Sequence, residues 1–347
     1  MTYLLEERTK TLEFLKKRAF VFLVFLFLIL RLTTLLSSVQ SVSWREELYQ
    51  GNIAKALIEG LKVPLWEYQA VGYSKGALWG GVLAVPFFLL LGPNLFALKL
   101  VPLLFSLLTL VVSYFFFKRF FDRKTALLFA SLFIFPPPVF TMLSLSAIGS
   151  HTESILFTSV LLFCLYQLLY QEKNKKFFLF LFGLVGGLGF WFSFTTALTL
   201  LTCLLSWFLL DRRSFLSKQL FFFLSAFLVG ILPWIFHEST HGGRGIRFLL
   251  DFFLWGRGGS IGVEETSDLS LQAKLQSLPS RTFVLLFRTL PFIFRFPSSL
   301  SIPGEILSLG YGFVAMLVIA PLFGREVWKN FKILKGSKLL PFFLFPF

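Results

Sequence analysis

Cysteine is scarce in this chain. Cys164 and Cys203 are the two thiols among 347 residues, and both lie inside apolar runs. They make no metal-ligand spacing and no disulfide is expected of them. Acids are also few: 18 Asp and Glu stand against 33 Lys and Arg, a net charge of +15. Gathered into one patch, such an excess would suit nucleic acid. Here it is spread as short clusters between apolar segments, as a membrane topology requires, so nucleic-acid binding is set aside. No small-residue cleavage site follows Phe20–Leu36, and the preceding MTYLLEERTKTLEFLKKR is too long and charged for a cleaved signal. It reads as a retained cytosolic tail. There is no solenoid-like repeat.

What the chain has in excess is apolar residues, 56%, with 49 Phe and a mean hydropathy of +0.77. Soluble domains sit nearer about 45–50% apolar, so the expectation is an all-α, polytopic membrane protein. A helix crossing the hydrocarbon needs about 20 apolar residues. Eight segments are expected to cross: Ala19–Leu36, Leu95–Phe117, Thr125–Ser146 with Pro136–Pro138 breaking it midway, Ser154–Tyr170, Phe177–Phe194, Thr195–Leu210, Leu220–Phe236 and Pro303–Phe323. Ala77–Leu91 is short, holds Pro86 and runs into Gly92-Pro93. If it does not cross, every dense basic cluster falls on the N-terminal side, as the positive-inside bias asks. Arg31, inside the first span, is expected to snorkel or to pair with protein. The closing LLPFFLFPF reads as half of a further span, so a fragment or a short member of its class is expected. The whole of 1–347 is read as one membrane-embedded domain, with outer loops over 37–94 and 237–301.

The first loop carries the polar stretch Ser43–Lys75. Tyr49, Ile53, Ala56 and Leu57 recur at helical spacing, which predicts an amphipathic helix lying on the membrane surface, ended by Gly60. Ser43-Trp44-Arg45-Glu46 fits a capping box, in which Glu46 would only cap.

A cytosolic N-terminus, one span and a large outer loop with an acidic motif on a surface helix resemble the GT-C membrane glycosyltransferases. The resemblance is to the family 39 branch of protein O-mannosyltransferases and lipid A aminoarabinose transferases. That branch carries Asp-Glu-x-x-Tyr where this chain reads Arg45-Glu46-Glu47-Leu48-Tyr49, and Tyr-Phe-Glu-Lys-Pro where it reads Val71-Gly72-Tyr73-Ser74-Lys75-Gly76. Tyr49 and Lys75 stand 26 positions apart, as the family's Tyr and Lys do. The family's second acid lies in the turn after a later span, where this chain offers His151 and Glu153.

The resemblance implies transfer of a sugar from a polyprenyl-phosphate donor to a lipid, glycan or protein acceptor of unknown identity. The implied place is the outer face of a bacterial inner membrane, with inversion at the anomeric carbon and no cofactor; a divalent metal stays open. It implies that Glu46, Glu47, Glu153 and His151 are the candidate catalytic residues. Lys75, Arg244, Arg247 and Arg257 would neutralise the donor phosphate, and Tyr49, Tyr68 and Tyr73 would contact substrate. The family's leading Asp falls on Arg45, so the base moves to Glu46 or Glu47, or the chain is inactive. Three plainer readings stand beside these. Lys75 would anchor at headgroups. The loop arginines would meet anionic lipid. Tyr68 and Tyr73, with Trp66 and Trp79, would form an interfacial belt. A transporter or lipid flippase is the alternative class.

Overall fold

The computed structural model describes residues 2–39, 45–63, 79–149, 152–171, 173–240, 242–243 and 246, with the side chains of the first helix from Arg18 onward. Pro303–Phe323, Lys75, Tyr68, Tyr73, His151, Arg244, Arg247 and Arg257 lie outside these residues. The chain falls into two compact units, 1–136 with 143–235, and 137–142 with 236–347.

The described residues form helices throughout. In order they are α1 (Thr2–Ser38), α2 (Arg45–Ile58), α3 (Trp79–Leu91), α4 (Leu95–Phe120), α5 (Arg123–Ile134), α6 (Pro138–Leu143), α7 (Thr152–Tyr170), α8 (Lys175–Phe192), α9 (Thr195–Leu210), α10 (Arg212–Phe215) and α11 (Lys218–Thr240). Five are long and apolar enough to cross a membrane: Arg18–Ser38 of α1, α4, Glu153–Tyr170 of α7, α8 and Lys218–Ser239 of α11. The chain is a multi-pass integral membrane protein. Leu90 is 80% and Phe221 76% exposed, side chains that lipid covers at no cost and water would not tolerate in such numbers.

The five spans are fewer than the eight expected, for identifiable reasons. Pro136–Pro138 splits Thr125–Ser146 into α5 and α6, because a proline lacks the N–H and clashes with the preceding turn; neither piece reaches spanning length. Thr195–Leu210 has 16 residues, short of about 17–25. Pro303–Phe323 is not among the described residues.

In the first unit α4 is the hub, packed against α7, α5, α3 and α1, while α7 also meets α8 and α9. Its start is set by a local device. Gly92, at φ 79°, ends α3, where an L side chain would be strained. Asn94 then accepts the Ala97 N–H at 2.9 Å and donates to the Leu91 carbonyl at 2.8 Å. One side chain thus caps α4 and ties it to the end of α3. At the other end, Asp122 accepts the Thr125 N–H at 2.7 Å. That bond holds its carboxyl below the usual range.

Arg31 pairs with protein. It is buried between Phe27 and Leu35 on α1, its guanidinium is 5.3 Å from the Phe27 ring centroid, and it reaches the Phe133 carbonyl at 3.5 Å. That carbonyl belongs to the last turn of α5, where the proline break leaves acceptors unmatched.

With 13 residues, α3 is about 20 Å long at 1.5 Å per residue, against a core of about 30 Å. We expect it not to cross. A cysteine at Arg123 in sealed cells should then be unreactive from the side on which a cysteine at Leu48 reacts. Labelling of both from one side would mean that α3 crosses as well as α4.

Candidate functional site

Two acids singled out in the sequence, 106 positions apart, meet on one turn. Glu47, in the first turn of α2, is fully buried. Its Oε1 accepts from Lys99 Nζ at 2.7 Å and from the backbone N–H of Ala147 at 2.9 Å. Glu153, in the first turn of α7, is also buried, and its Oε1 accepts the Gly149 N–H at 3.2 Å. Ser106 of α4 donates to the Ser144 carbonyl at 3.3 Å. The segment Ser144–Gly149 is therefore held by α2, α4 and α7 together. Gly149, at φ 85°, supplies a left-handed corner that residues with Cβ rarely adopt.

The ion pair is possible because both charges leave water together. An isolated buried ammonium or carboxylate costs several kcal/mol, and a close partner with further hydrogen bonds offsets it. Lys99 sits one turn inside α4, placed by the Asn94 cap. Glu47 is placed by how α2 lies on α3. A Cβ at Gly81 would come within 2.6 Å of the Gln50 carbonyl and 2.9 Å of Ile53 Cβ, so only glycine lets the two helices approach this closely. Ala54, Ala84, Phe88, Ala97, Leu98, Val101, Phe105 and Ala147 pack as one apolar cluster around it.

The buried face of α2 differs from the stripe expected. Tyr49 is 45% exposed, whereas Glu47, Gln50, Ile53 and Ala54 are buried. The face turned inward therefore begins with two polar residues, which an apolar-periodicity reading passes over; Lys99 and Ala147 give Glu47 its reason to be there. Gly60, at φ 72°, ends the helix as expected, and Leu61 N–H returns to the Ala56 carbonyl at 2.9 Å in a Schellman closure. Glu46 is exposed, about 100° around the helix from Glu47. The two adjacent carboxylates thus have opposite surroundings: one is free to meet a molecule from outside, the other is clasped.

Sequence reading missed Lys99, although a lone Lys near the start of an otherwise apolar 26-residue helix is itself a signal, since intramembrane ionisable groups are rare and usually paired. It also missed a pair at the end of α11. There His237 Nδ1 lies 3.4 Å from Glu238 Oε1, and Glu238 Oε2 accepts the Ile246 N–H at 3.2 Å. Among the described residues, no group of three or more His, Cys, Asp or Glu could hold a metal ion.

Residues 78–237 match the family model described as dolichyl-phosphate-mannose-protein mannosyltransferase. Lys99, Ala147, Gly149 and Glu153 fall inside that match; Glu46, Glu47 and Lys75 precede it. No curated protein matches the chain. Among solved structures, the chain is similar to ArnT from Cupriavidus metallidurans in the apo state, at 16% identity and a TM-score of 0.45, over 87% of this chain and 62% of that one. The chain thus spans less than two thirds of that protein's length.

Proposed function

We propose that this chain, related across residues 78–237 to the dolichyl-phosphate-mannose-protein mannosyltransferases, is a GT-C-type membrane glycosyltransferase that moves a sugar from a polyprenyl-phosphate donor. The observation that carries the reading is that Glu47 and Glu153 meet on Ser144–Gly149 within this helical frame, with Glu46 exposed beside them.

In this reading Glu46 is the base. It takes the proton of the acceptor hydroxyl as that oxygen attacks the anomeric carbon. The bond from that carbon to the phosphate oxygen breaks, and polyprenyl phosphate leaves with the electron pair. Lys75, with Arg244, Arg247 and Arg257, neutralises the leaving phosphate. Tyr49, 45% exposed on the same helix, joins Tyr68 and Tyr73 as a substrate contact, and His151 stays a candidate beside Glu153. One in-line displacement inverts the anomeric centre. Lys99 lies about 6 Å along α4 from its first residue at 1.5 Å per residue. A charged pair so near one end of a spanning helix supports surface chemistry over a transport path at the midplane.

The test is the full chain in proteoliposomes, supplied with a cell-envelope extract as the source of acceptor and offered polyprenyl-phosphate-linked mannose, glucose and aminopentose in turn, with release of polyprenyl phosphate measured. Consumption of one donor is expected; no release from any of them would overturn the reading. Within it, Lys75→Ala should weaken donor binding by about 10- to 100-fold, the equivalent of a charged hydrogen bond of about 1.5–3 kcal/mol. Lys75→Arg should weaken it less, because charge is the requirement. Equal, unchanged affinity in both variants would leave Lys75 as a headgroup anchor.

A further inference from the structure

Lys99 touches a candidate acid, with 2% of its side chain exposed and its Nζ 2.7 Å from a carboxylate that is itself 0% exposed. A methionine or leucine would fill that place in an apolar helix without any desolvation cost. Replacing a buried ion pair by apolar residues is often neutral or stabilising, so stability alone gives no reason for a lysine here. The geometry offers another. Glu47 Oε1 is shared between Lys99 Nζ on α4 and the Ala147 N–H. Three segments far apart in the chain, Glu47, Lys99 and Ala147, are joined through one oxygen atom. Glu46 is the next residue in the same helical turn, and Glu153 holds the same Ser144–Gly149 segment from its other end.

We infer that Lys99 is a positioning residue: its ammonium clasps Glu47 and so fixes the acidic turn of α2 against the turn that leads to Glu153. It touches neither donor nor acceptor. Its effect is on where Glu46 stands. Direction matters as well as charge: the ammonium approaches Glu47 from α4 while the Ala147 amide approaches from the turn. The carboxylate is therefore fixed from two sides, and α2 cannot rotate without breaking one of these bonds. Removing the ammonium takes away the charged half of this clasp on a helix whose inward face starts with Glu47 and Gln50.

The inference rests on the reading of Glu46 as base for its kinetic arm and stands apart from it in its labelling arm. Lys99→Met alone leaves Glu47 buried without its cation and is prone to misfold, so the deciding variant is the doubly neutral Lys99→Met/Glu47→Gln, alongside Lys99→Arg. In the full chain in detergent, a cysteine at the buried Ala54 reports opening of α2. Maleimide labelling of it should be faster by on the order of 10-fold in the double variant than in the parent, the scale of a typical coupling between contacting groups. Labelling in Lys99→Arg should stay near parental. In proteoliposomes the double variant should lose kcat by a similar factor with KM for the donor within about twofold, as when only transition-state geometry is lost. A folded double variant with parental labelling and parental kcat would overturn the inference. So would a loss confined to KM, which would make Lys99 part of donor binding. A parent that transfers no sugar overturns the glycosyltransferase reading instead, and the labelling comparison still decides the clasp.

Discussion

Glu46→Gln is expected to lower sugar transfer by about 10²–10⁴-fold, the usual loss when a general base is removed, with the protein still folded and inserted. Glu46 is exposed on the first turn of α2, so the substitution strands no buried partner, and Gln keeps the size and an acceptor oxygen. If Glu46 only caps the helix, Gln still caps, and the loss stays near or below about 1 kcal/mol of stability. Glu47→Gln should behave differently. It leaves Lys99 buried opposite a neutral amide, and breaking a buried pair costs about 3–5 kcal/mol, so its first symptom should be reduced thermal stability and reduced yield. Glu153→Gln should have a smaller but clear effect on transfer. Transfer rates, measured beside melting temperatures in detergent, separate the three. Parental turnover in all three variants would make the carboxylates structural and end the proposed mechanism.

The acids were legible in the sequence, and which of them is buried was not. Adjacent Glu46 and Glu47 stand out in a polar stretch between apolar runs, but which one faces inward depends on the partner surface. That surface is made by Gly80 and Gly81 of α3 and Lys99 of α4, and no periodicity within 43–75 encodes it. The spans show the same limit. Long uninterrupted runs such as Leu95–Phe120 announce themselves through composition, and the proline break at 136–138 was visible as a break. Whether the pieces on either side of it reach across a bilayer is a matter of length after capping, which Phe135 decides at the end of α5. Composition also says nothing of how closely two apolar helices approach. That depends on a few glycines whose importance appears once the facing backbone is known.

Gly187→Ala is expected to be the most damaging single-methyl change in the bundle. Gly183 and Gly187 on α8 form a small-x-x-x-small face, the pattern that lets membrane helices touch backbone to backbone. Opposite lies α11. A Cβ at Gly187 would stand 2.7 Å from the backbone nitrogen of Ile231, one at Gly183 2.8 Å from Ala226 Cβ, and one at Gly230 2.9 Å from the backbone nitrogen of Leu188. Two of these three neighbours are main-chain atoms and cannot swing aside, so the helices themselves must part. Parting them would also loosen the ring packing of Phe182, tilted against Phe223 and edge-on to Trp207, at centroid distances of 5.1 and 6.3 Å. Overpacking of this kind costs about 1–3 kcal/mol even where side chains can yield, and backbone neighbours put Gly187 at or above the top of that range. Gly51→Ala is the control. Its added Cβ would meet Leu98 Cδ2 at an ordinary 3.5 Å, and both substitutions share the helix-propensity gain of about 0.8–1.0 kcal/mol for Ala over Gly. The difference between them therefore isolates packing. In detergent, Gly51→Ala should melt at or above the parent and Gly187→Ala well below it. Equal melting temperatures would show that α8 and α11 do not depend on backbone contact at this crossing.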